Sequence, residues 1–243
     1  MAAIKAVIFD YNETLAQLPH DGRERMMDGI AKAVGYESPP GQPWKEWTEQ
    51  PSDLKLRFAG GSSTRSAVNG EPPPFRTFWD YWKERFEELF QSWDVDARGE
   101  LGADAYTEHH IKAVVYPEVK DTLSILAETC DVAILSNADD AFLLGSVEKN
   151  SLTLDTVISS EELRSYKPHV SIFHNTCERM GIKPEEALYV GDQPWADVEG
   201  SRNAGMQQAW FNRHDAEWPD HIEPPQFEVK SLDELVGIVR GSA

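Results

Sequence analysis

The chain has 243 residues, of which 40% are hydrophobic and 10% aromatic. This length allows one large domain or a core with an insert, and the composition is that of a globular protein rather than a disordered or fibrous one. With 23 basic and 42 acidic residues, the formal net charge is −19. Such a charge repels a phosphate backbone at long range, so we expect no nucleic-acid partner.

The start of the chain and its two cysteines bear on location. The first fifteen residues, MAAIKAVIFDYNETL, contain an apolar run that is too short to span a membrane and lacks the layout of a signal peptide. Cys130 and Cys177 fall in segments with helical patterns, which does not indicate a disulfide framework. We therefore expect a cytoplasmic protein with no membrane partner.

The first predicted strand covers residues 4–9, a β-branched and apolar run that is closed by Asp10. Near-continuous apolar character is typical of a parallel strand that is buried on both faces. Similar short runs, mostly separated by segments of helical period, occur at residues 132–135, 156–158, 188–190 and 208–211. This alternation predicts an α/β fold with a doubly wound, Rossmann-like parallel sheet.

Residues 16–115 carry a different pattern, because RERMMDGIAKAVG and TFWDYWKERFEELFQSW are amphipathic and strand signals are nearly absent. We predict a helical cap inserted into a core that is formed by residues 1–15 and 116–243. Apolar residues of the second segment recur mostly at steps of three and four, which predicts a packing face made of Phe78, Trp82, Phe86, Leu89, Phe90 and Trp93.

Polar side chains follow three of the predicted strands. Asp10, Asn12 and Thr14 follow the first strand, Ser136 and Asn137 the second, and Asp192 the fourth, with Asp197 five residues later. In a doubly wound sheet the ligand crevice lies beyond the carboxyl ends of the strands, so these side chains should converge there. Gathered carboxylates repel each other unless a cation relieves them, and oxygen ligands favour Mg²⁺.

Four ordered segments resemble the motifs of the haloacid dehalogenase-like (HAD) hydrolase superfamily: FDYNETL, ILSN, the Lys167 and Pro168 pair, and GDQPWADVEGSRNAGM. The resemblance spans residues 5 to about 211, and the helical insert is similar to the C1 cap of that family. The tail beyond Asn212 is weakly covered. The acidic fourth segment resembles that of the family's phosphatases.

The resemblance implies a role for each matching residue. Asp10 would be the nucleophile, and its carboxylate, the backbone carbonyl of Asn12 and Asp192 would bind Mg²⁺, with Asp197 beside the metal. Thr14 would steady the nucleophile loop. On the substrate side, Ser136 and Lys167 would hold phosphate oxygens, with Asn137 next to them. These roles describe a Mg²⁺-dependent hydrolase that acts on a small phosphorylated metabolite through an aspartyl-phosphate.

One residue departs from the family pattern. Phosphatases of the family place an aspartate two residues after the nucleophile, where it transfers protons, whereas this chain has Asn12. An amide cannot serve in this way, and general acid–base assistance is typically worth about 10²–10⁴ in rate. Candidate substitutes are Glu13, His20, His109 and His110, and an engineered replacement at Asn12 also stays open.

Two other functions stay open at this stage. Dehalogenases of the family also use the aspartate nucleophile without an aspartate two residues later, so Asn12 permits hydrolysis of a carbon–halogen bond. Those metal-free enzymes usually carry serine where Asp192 stands, which argues against this reading. A slow phosphotransferase or a phosphate-binding protein is the third hypothesis.

Substrate choice should depend on the cap, which would close over the strand ends and exclude water. Residues 59–75, rich in Gly, Ser and Pro, are interpreted as a loop that could act as a mobile lid element. Trp195 is a candidate for the entrance. The basic residues of the cap that could meet an anionic substrate are Arg57, Arg65, Arg76, Lys83 and Arg85.

Overall fold

A six-stranded sheet forms the centre of the protein. The computed structural model describes residues 2–50 and 74–241. The strands are β1 (Ala6–Phe9), β4 (Asp131–Ser136), β5 (Thr156–Ser159), β6 (Ala187–Gly191), β7 (Gln207–Phe211) and β8 (Phe227–Val229). They lie in the order β5-β4-β1-β6-β7-β8, and all neighbours are parallel. This confirms the predicted doubly wound α/β fold.

Helices flank the sheet between its strands, namely α5 (Val119–Ala127), α6 (Asp140–Lys149), α7 (Ser160–Leu163), α8 (Val170–Met180), α9 (Gly200–Asn203) and α10 (Glu234–Gly241). A 3-10 turn (Pro184–Glu186) precedes β6, and a π-helical turn (Pro194–Glu199) follows it. Every residue of β1, β6 and β7 is buried. Burial on both faces explains why these runs are almost continuously apolar.

The chain order reverses at β1. It passes from β1 to β4 and β5 on one side, and then to β6, β7 and β8 on the other. Crevices at the carboxyl ends of strands open where the order reverses in this way. Asp10, the residue that follows β1, therefore lies at the switch point of the sheet.

The helical insert begins and ends in a short antiparallel pair, β2 (Ala16–Gln17) and β3 (Val114–Val115), with Ala16 opposite Val115. Between these strands lie four helices among the described residues: α1 (Gly22–Ala33), α2 (Gln42–Glu49), α3 (Phe78–Ser92) and α4 (Gly99–Ile111). The predicted insert is thus helical, as expected. Its division from the core at residues 16 and 115 stays a prediction, since one buried apolar cluster includes both Phe9 and Phe86.

The aromatic residues of α3 form the packing face that their spacing predicts. Trp82, Phe86, Leu89 and Phe90 are buried, and the ring of Phe86 stacks on that of Trp47 with centroids 4.4 Å apart. Helix α4 approaches this face closely at Gly102, where a Cβ atom would lie 2.1 Å from the Phe86 ring. A side chain at that position would therefore push the two helices apart.

The cap is also held by a residue of the core. Asp139, two residues after Asn137, accepts hydrogen bonds from the backbone N–H groups of Phe78 and Trp79, at 2.9 and 2.8 Å. These N–H groups open α3 and have no partner within the helix. Burial raises the pKa of Asp139 to about 6. The start of α3 is thus fixed to the loop that follows β4.

Three strands escaped the sequence analysis. Strands β2 and β3 have two residues each, too few to show alternation, and β8 lies beyond the last predicted run. Cys130 and Cys177 are free thiols. No helix in the described part of the chain is long and apolar enough to cross a membrane.

Candidate active site

Asp10 lies at the floor of the crevice and is only 6% exposed. Its Oδ1 atom accepts a hydrogen bond from the Ser136 hydroxyl at 2.9 Å and one from the Lys167 ammonium at 2.8 Å. Ser136 ends β4, which pairs with β1, so the sheet itself brings the two side chains together. These two hydrogen bonds to a single oxygen fix the orientation of the Asp10 carboxylate.

Lys167 links this carboxylate to a second one. Its Nζ atom donates to Asp197 Oδ1 at 2.6 Å and to the hydroxyl of Tyr189 at 2.8 Å. Burial alone would lower the pKa of Lys167, but the charges of Asp10 and Asp197 outweigh it and raise that pKa above its ordinary value. The ammonium therefore stays charged. Tyr189, which the sequence analysis did not single out, donates a hydrogen bond from its own hydroxyl to the backbone oxygen of Leu135 at 2.9 Å.

The two acidic residues after β6 complete a carboxylate cluster. Asp10, Asp192 and Asp197 each offer an oxygen, and these three atoms lie within 4.8 Å of one another. Burial, with the charges of Asp197 and Asp10, raises the pKa of Asp192 to about 8. Burial likewise raises the pKa of Asp197. Raised pKa values mean that these carboxyl groups lose their protons less readily than isolated ones. A bound cation would stabilise their ionised forms.

A glycine lets Asp197 come this close to the other two carboxylates. A Cβ atom on Gly191 would lie 2.3 Å from the Asp197 carboxyl carbon, so only glycine fits there. The backbone N–H of Gln193 donates to Asp197 Oδ2 at 2.9 Å. Thr14, fully buried, donates to Asp192 Oδ1 at 3.3 Å, which places it against the Asp192 carboxylate.

Asn137 acts on Lys167 through the main chain. Its side-chain oxygen accepts from the Lys167 backbone N–H at 2.8 Å, and its Nδ2 donates to the Lys167 carbonyl at 3.0 Å. Asn137 also lines the crevice. Its amide is thus engaged in positioning Lys167, while the sequence analysis had placed it on the substrate side.

The crevice over these residues is a cavity of about 180 Å³. This space is large enough for a small group such as a phosphate. Its described lining is Asp10, Asn12, Glu13, Ser136, Asn137, Lys167, Asp192, Gln193, Ala196 and Asp197. Seven of the eight site residues predicted from the sequence line this one cavity, and Thr14 contacts it through Asp192.

Glu13 adopts an unusual backbone conformation for a residue with a side chain. Its φ angle is 60°, in the left-handed region that favours glycine, and its N–H donates to the Ala16 oxygen at 2.7 Å. Such a conformation costs on the order of 1 kcal/mol and is concentrated at functional sites. An exposed carboxylate is therefore held at the mouth of the cavity at some cost in stability.

Several residues considered as proton donors or substrate contacts lie elsewhere. His110 stacks on Trp82 within the cap, and burial lowers the pKa of both His109 and His110 to about 4. Neither ring lines the cavity. His20 borders a neighbouring cavity instead. Trp195 lies on the π-helical turn after β6 and does not line the cavity over Asp10.

The basic residues proposed for the cap are occupied by other partners. Arg76 forms an ion pair with Glu84, and Lys83 pairs with Glu100. Arg85 is buried over the Trp47 ring, 4.0 Å from its centroid. Arg57, Arg65 and nearly all of the 59–75 loop lie outside the described residues. Arg76, Lys83 and Arg85, which the sequence offered as possible substrate contacts, are thus engaged by other residues of the helical insert.

The fold and the crevice define the class of protein. A family model described as haloacid dehalogenase-like hydrolase matches residues 4–205. The chain therefore belongs to the haloacid dehalogenase-like hydrolases.

Relatives with assigned activities fall into two groups. The chain is 30% identical over 167 residues to (S)-2-haloacid dehalogenase 1 of Pseudomonas sp. (strain CBS-3), covering 66% of this chain and 71% of that protein. It is 39% identical over 87 residues to glyceraldehyde 3-phosphate phosphatase of Methanopyrus kandleri, covering 35% of this chain and 37% of that one. Sequence similarity thus connects the chain to both reaction types.

The fold resembles solved structures over its whole length. The HAD-hydrolase YfnB from Bacillus subtilis, solved with bound magnesium, matches with a TM-score of 0.72 at 20% identity, covering 98% of this chain and 99% of that one. At this identity the likeness establishes the fold.

Proposed function

We propose that this protein is a Mg²⁺-dependent hydrolase of small phosphorylated metabolites that works through an aspartyl-phosphate on Asp10. The observation that carries the proposal is the cluster of Asp10, Asp192 and Asp197, whose oxygens lie within 4.8 Å of one another beside a buried lysine. A metal-free dehalogenase has no use for the Asp192 carboxylate beside its nucleophile, since that charge opposes the approach of an anionic substrate.

The residues present fit a magnesium ion. Three carboxylates and one ammonium leave a cluster charge of −2 when all are ionised, which one divalent cation neutralises. All the side-chain ligands are oxygens, as Mg²⁺ prefers. Asp10, Asp192 and the backbone carbonyl of Asn12 would hold the ion, with Asp197 beside it. When bound, it would offset the charge of an incoming phosphate and of the transition state.

The side chains around Asp10 suit attack on phosphorus. Ser136 and Lys167 hold Oδ1, which leaves Oδ2 to form the new bond to phosphorus while the ester oxygen departs with the electron pair. The Ser136 hydroxyl and the Lys167 ammonium already point at the reacting carboxylate, so they are well placed to stabilise the negative charge on the phosphoryl oxygens. Water then cleaves the acyl phosphate, which releases inorganic phosphate and restores the carboxylate.

We assign the proton transfers to Glu13. The departing oxygen needs a proton, and the attacking water must lose one, but the Asn12 amide can do neither. Glu13 lines the nucleophile cavity and is exposed, whereas His109 and His110 are packed inside the cap. His20 remains the alternative, since it borders the adjoining cavity that Glu13 also lines.

Carbon–halogen hydrolysis is the second candidate, and Asn12 is the observation that favours it. In that reaction Asp10 attacks carbon and the halide leaves without a proton, so no acid is needed two residues after the nucleophile. The 30% identity to a 2-haloacid dehalogenase points the same way. A slow phosphotransferase or phosphate-binding role is the third, because an aspartyl-phosphate without an efficient base would be long-lived.

A direct comparison of the two chemistries tests the proposal. Phosphate release from a panel of small phosphate esters is measured with Mg²⁺ and with EDTA, in parallel with chloride release from 2-chloropropionate. We expect phosphate release that requires Mg²⁺ and that is at least as fast in Asn12→Asp as in the wild type, since the substitution adds a second group able to transfer protons beside Glu13. Chloride release in EDTA, with no ester hydrolysed by either protein, would establish dehalogenation instead.

A further inference from the structure

A second cavity adjoins the one over Asp10. Its volume is about 520 Å³, within the range of small-molecule sites, and it lies between the core and the first segment of the cap. Glu13 lines both cavities, so the two are neighbours on either side of this residue. The sequence analysis did not predict this cavity, because its walls come from separate parts of the chain.

Three basic side chains meet in its wall. His20 comes from the link between β2 and α1, Arg23 from α1, and His214 from the loop that follows β7. Glu13 is the only carboxylate among the described lining residues. With histidine counted as neutral, Arg23 and Glu13 balance each other in this lining, whereas the whole chain carries a formal charge of −19.

Arg23 is the central observation. Arg23 is exposed, and within residues 2–50 and 74–241 its guanidinium forms no ion pair; its described contact is the face of Trp44, with 5.9 Å to the ring centroid. Arg25, two residues along the same helix, pairs instead with Asp21. An arginine that faces a cavity without a carboxylate partner has its hydrogen-bond donors available for a ligand.

We propose that this second cavity binds a second anionic group on the leaving part of the substrate. The proposal rests on the proposed function and names its substrate class: small phosphate esters that carry a further carboxylate or phosphate. The phosphoryl group would occupy the cavity over Asp10, and the other anion would meet the fork of N–H donors on Arg23, which matches carboxylate and phosphate geometry. His20 and His214 would add donors on either side.

Matched substrate pairs test this. The ratio of kcat/KM for 3-phosphoglycerate to that for glycerol 3-phosphate compares a carboxylate with a hydroxymethyl group on the same skeleton. The ratio of kcat/KM for fructose 1,6-bisphosphate to that for fructose 6-phosphate measures the effect of a second phosphate in the same way. We expect at least one ratio to exceed about 10 in the wild type and to fall about tenfold or more in Arg23→Gln, the size of one charge-assisted hydrogen bond. The substrate pair whose ratio falls in Arg23→Gln shows whether the second anion is a carboxylate or a phosphate.

Arg25→Gln is the matched control, and its ratios should equal those of the wild type. A wild type without preference, or an Arg23→Gln protein with unchanged ratios, overturns the proposal. So does an equal loss for both members of each pair, which would mean a structural role. Arg23→Lys should recover part of the preference, since it restores the charge without the fork.

A binding measurement separates this proposal from the proposed function. If the wild type hydrolyses no ester, the proposed function fails, but thermal unfolding still reports on the cavity. 3-Phosphoglycerate or fructose 1,6-bisphosphate should then raise the Tm more than its singly anionic partner, and Arg23→Gln should abolish the difference. Equal protection by both members of both pairs overturns the second-anion site as well.

Discussion

The Lys167 ammonium lies 2.8 Å from Asp10 Oδ1, and the pair is almost fully buried. The same ammonium lies 2.6 Å from Asp197 Oδ1, so one positive charge compensates two carboxylates on neighbouring strand ends. A buried charge without its partner is strongly unfavourable. Lys167 is therefore needed to fold the site as well as to operate it.

Removal of this ammonium should cost both stability and activity. In Lys167→Met we expect the free energy of unfolding to fall by about 3–5 kcal/mol, as for other broken buried pairs, with loss of ester hydrolysis. Chemical denaturation in EDTA gives the first quantity. Mg²⁺ should restore part of the lost stability, because a cation can replace the missing charge. A variant as stable as the wild type without metal would contradict this account of the cluster.

Glu13 offers a prediction in which stability and chemistry separate. Glu13→Gln keeps the shape of the side chain without its proton, and we expect kcat for ester hydrolysis to fall by about 10²-fold or more. Glu13→Gly should lose activity to the same degree but keep its free energy of unfolding within about 1 kcal/mol, because glycine relaxes the left-handed backbone.

His20→Gln is the comparison for this experiment. If the proton comes from Glu13, His20→Gln keeps a kcat close to that of the wild type on singly anionic esters. A Glu13→Gln protein with full kcat, together with a slow His20→Gln protein, would assign the proton transfer to His20.

The paired histidines of the cap predict acid sensitivity. Burial lowers the pKa of His109 and His110 from an ordinary value near 6.5 to about 4. Between these pH values the unfolded chain binds protons that the folded chain does not, so stability rises with pH across this window and is lost as the pH falls through it. Each imidazole ring contributes up to about 3 kcal/mol to this change in the free energy of unfolding, before solvent screening reduces the contribution.

Urea unfolding between pH 4 and 7 measures this effect. His110→Phe, which preserves stacking on Trp82, should show a shallower dependence of the free energy of unfolding on pH. The exposed His20 provides the control, since His20→Gln should keep the wild-type slope. Equal slopes in wild type and His110→Phe would mean that the ring takes up its proton without unfolding the cap.

The sequence predicted the sheet and the strand-end residues because parallel strands leave a clear pattern. Buried apolar runs closed by Asp10, Ser136 and Asp192 must meet at one edge, whatever lies between them. Lys167 follows no strand, so only its resemblance to a family motif indicated it. Its contact with Tyr189, a residue inside an apolar run, has no signal in the sequence.

The rest depended on how the cap folds. His109 and His110 looked available because they sit at a helix end, but Trp82 of α3 covers the His110 ring, and Tyr106 of their own helix lies against both rings. Arg76 and Lys83 looked free, but nearby glutamates pair with them. Arg23 and His214 are nearly two hundred positions apart, and only the folded chain brings them to one cavity.

The central claim is that Asp10 carries the phosphoryl group, and mass spectrometry of the intact protein tests it most directly. After incubation with acetyl phosphate and Mg²⁺, we predict a single phosphoryl adduct on the peptide that contains Asp10. The adduct should be absent in EDTA and in Asp10→Asn, and shorter-lived in Asn12→Asp. An adduct that persists in Asp10→Asn, or no adduct from a wild-type protein that releases chloride from 2-chloropropionate, would contradict the account.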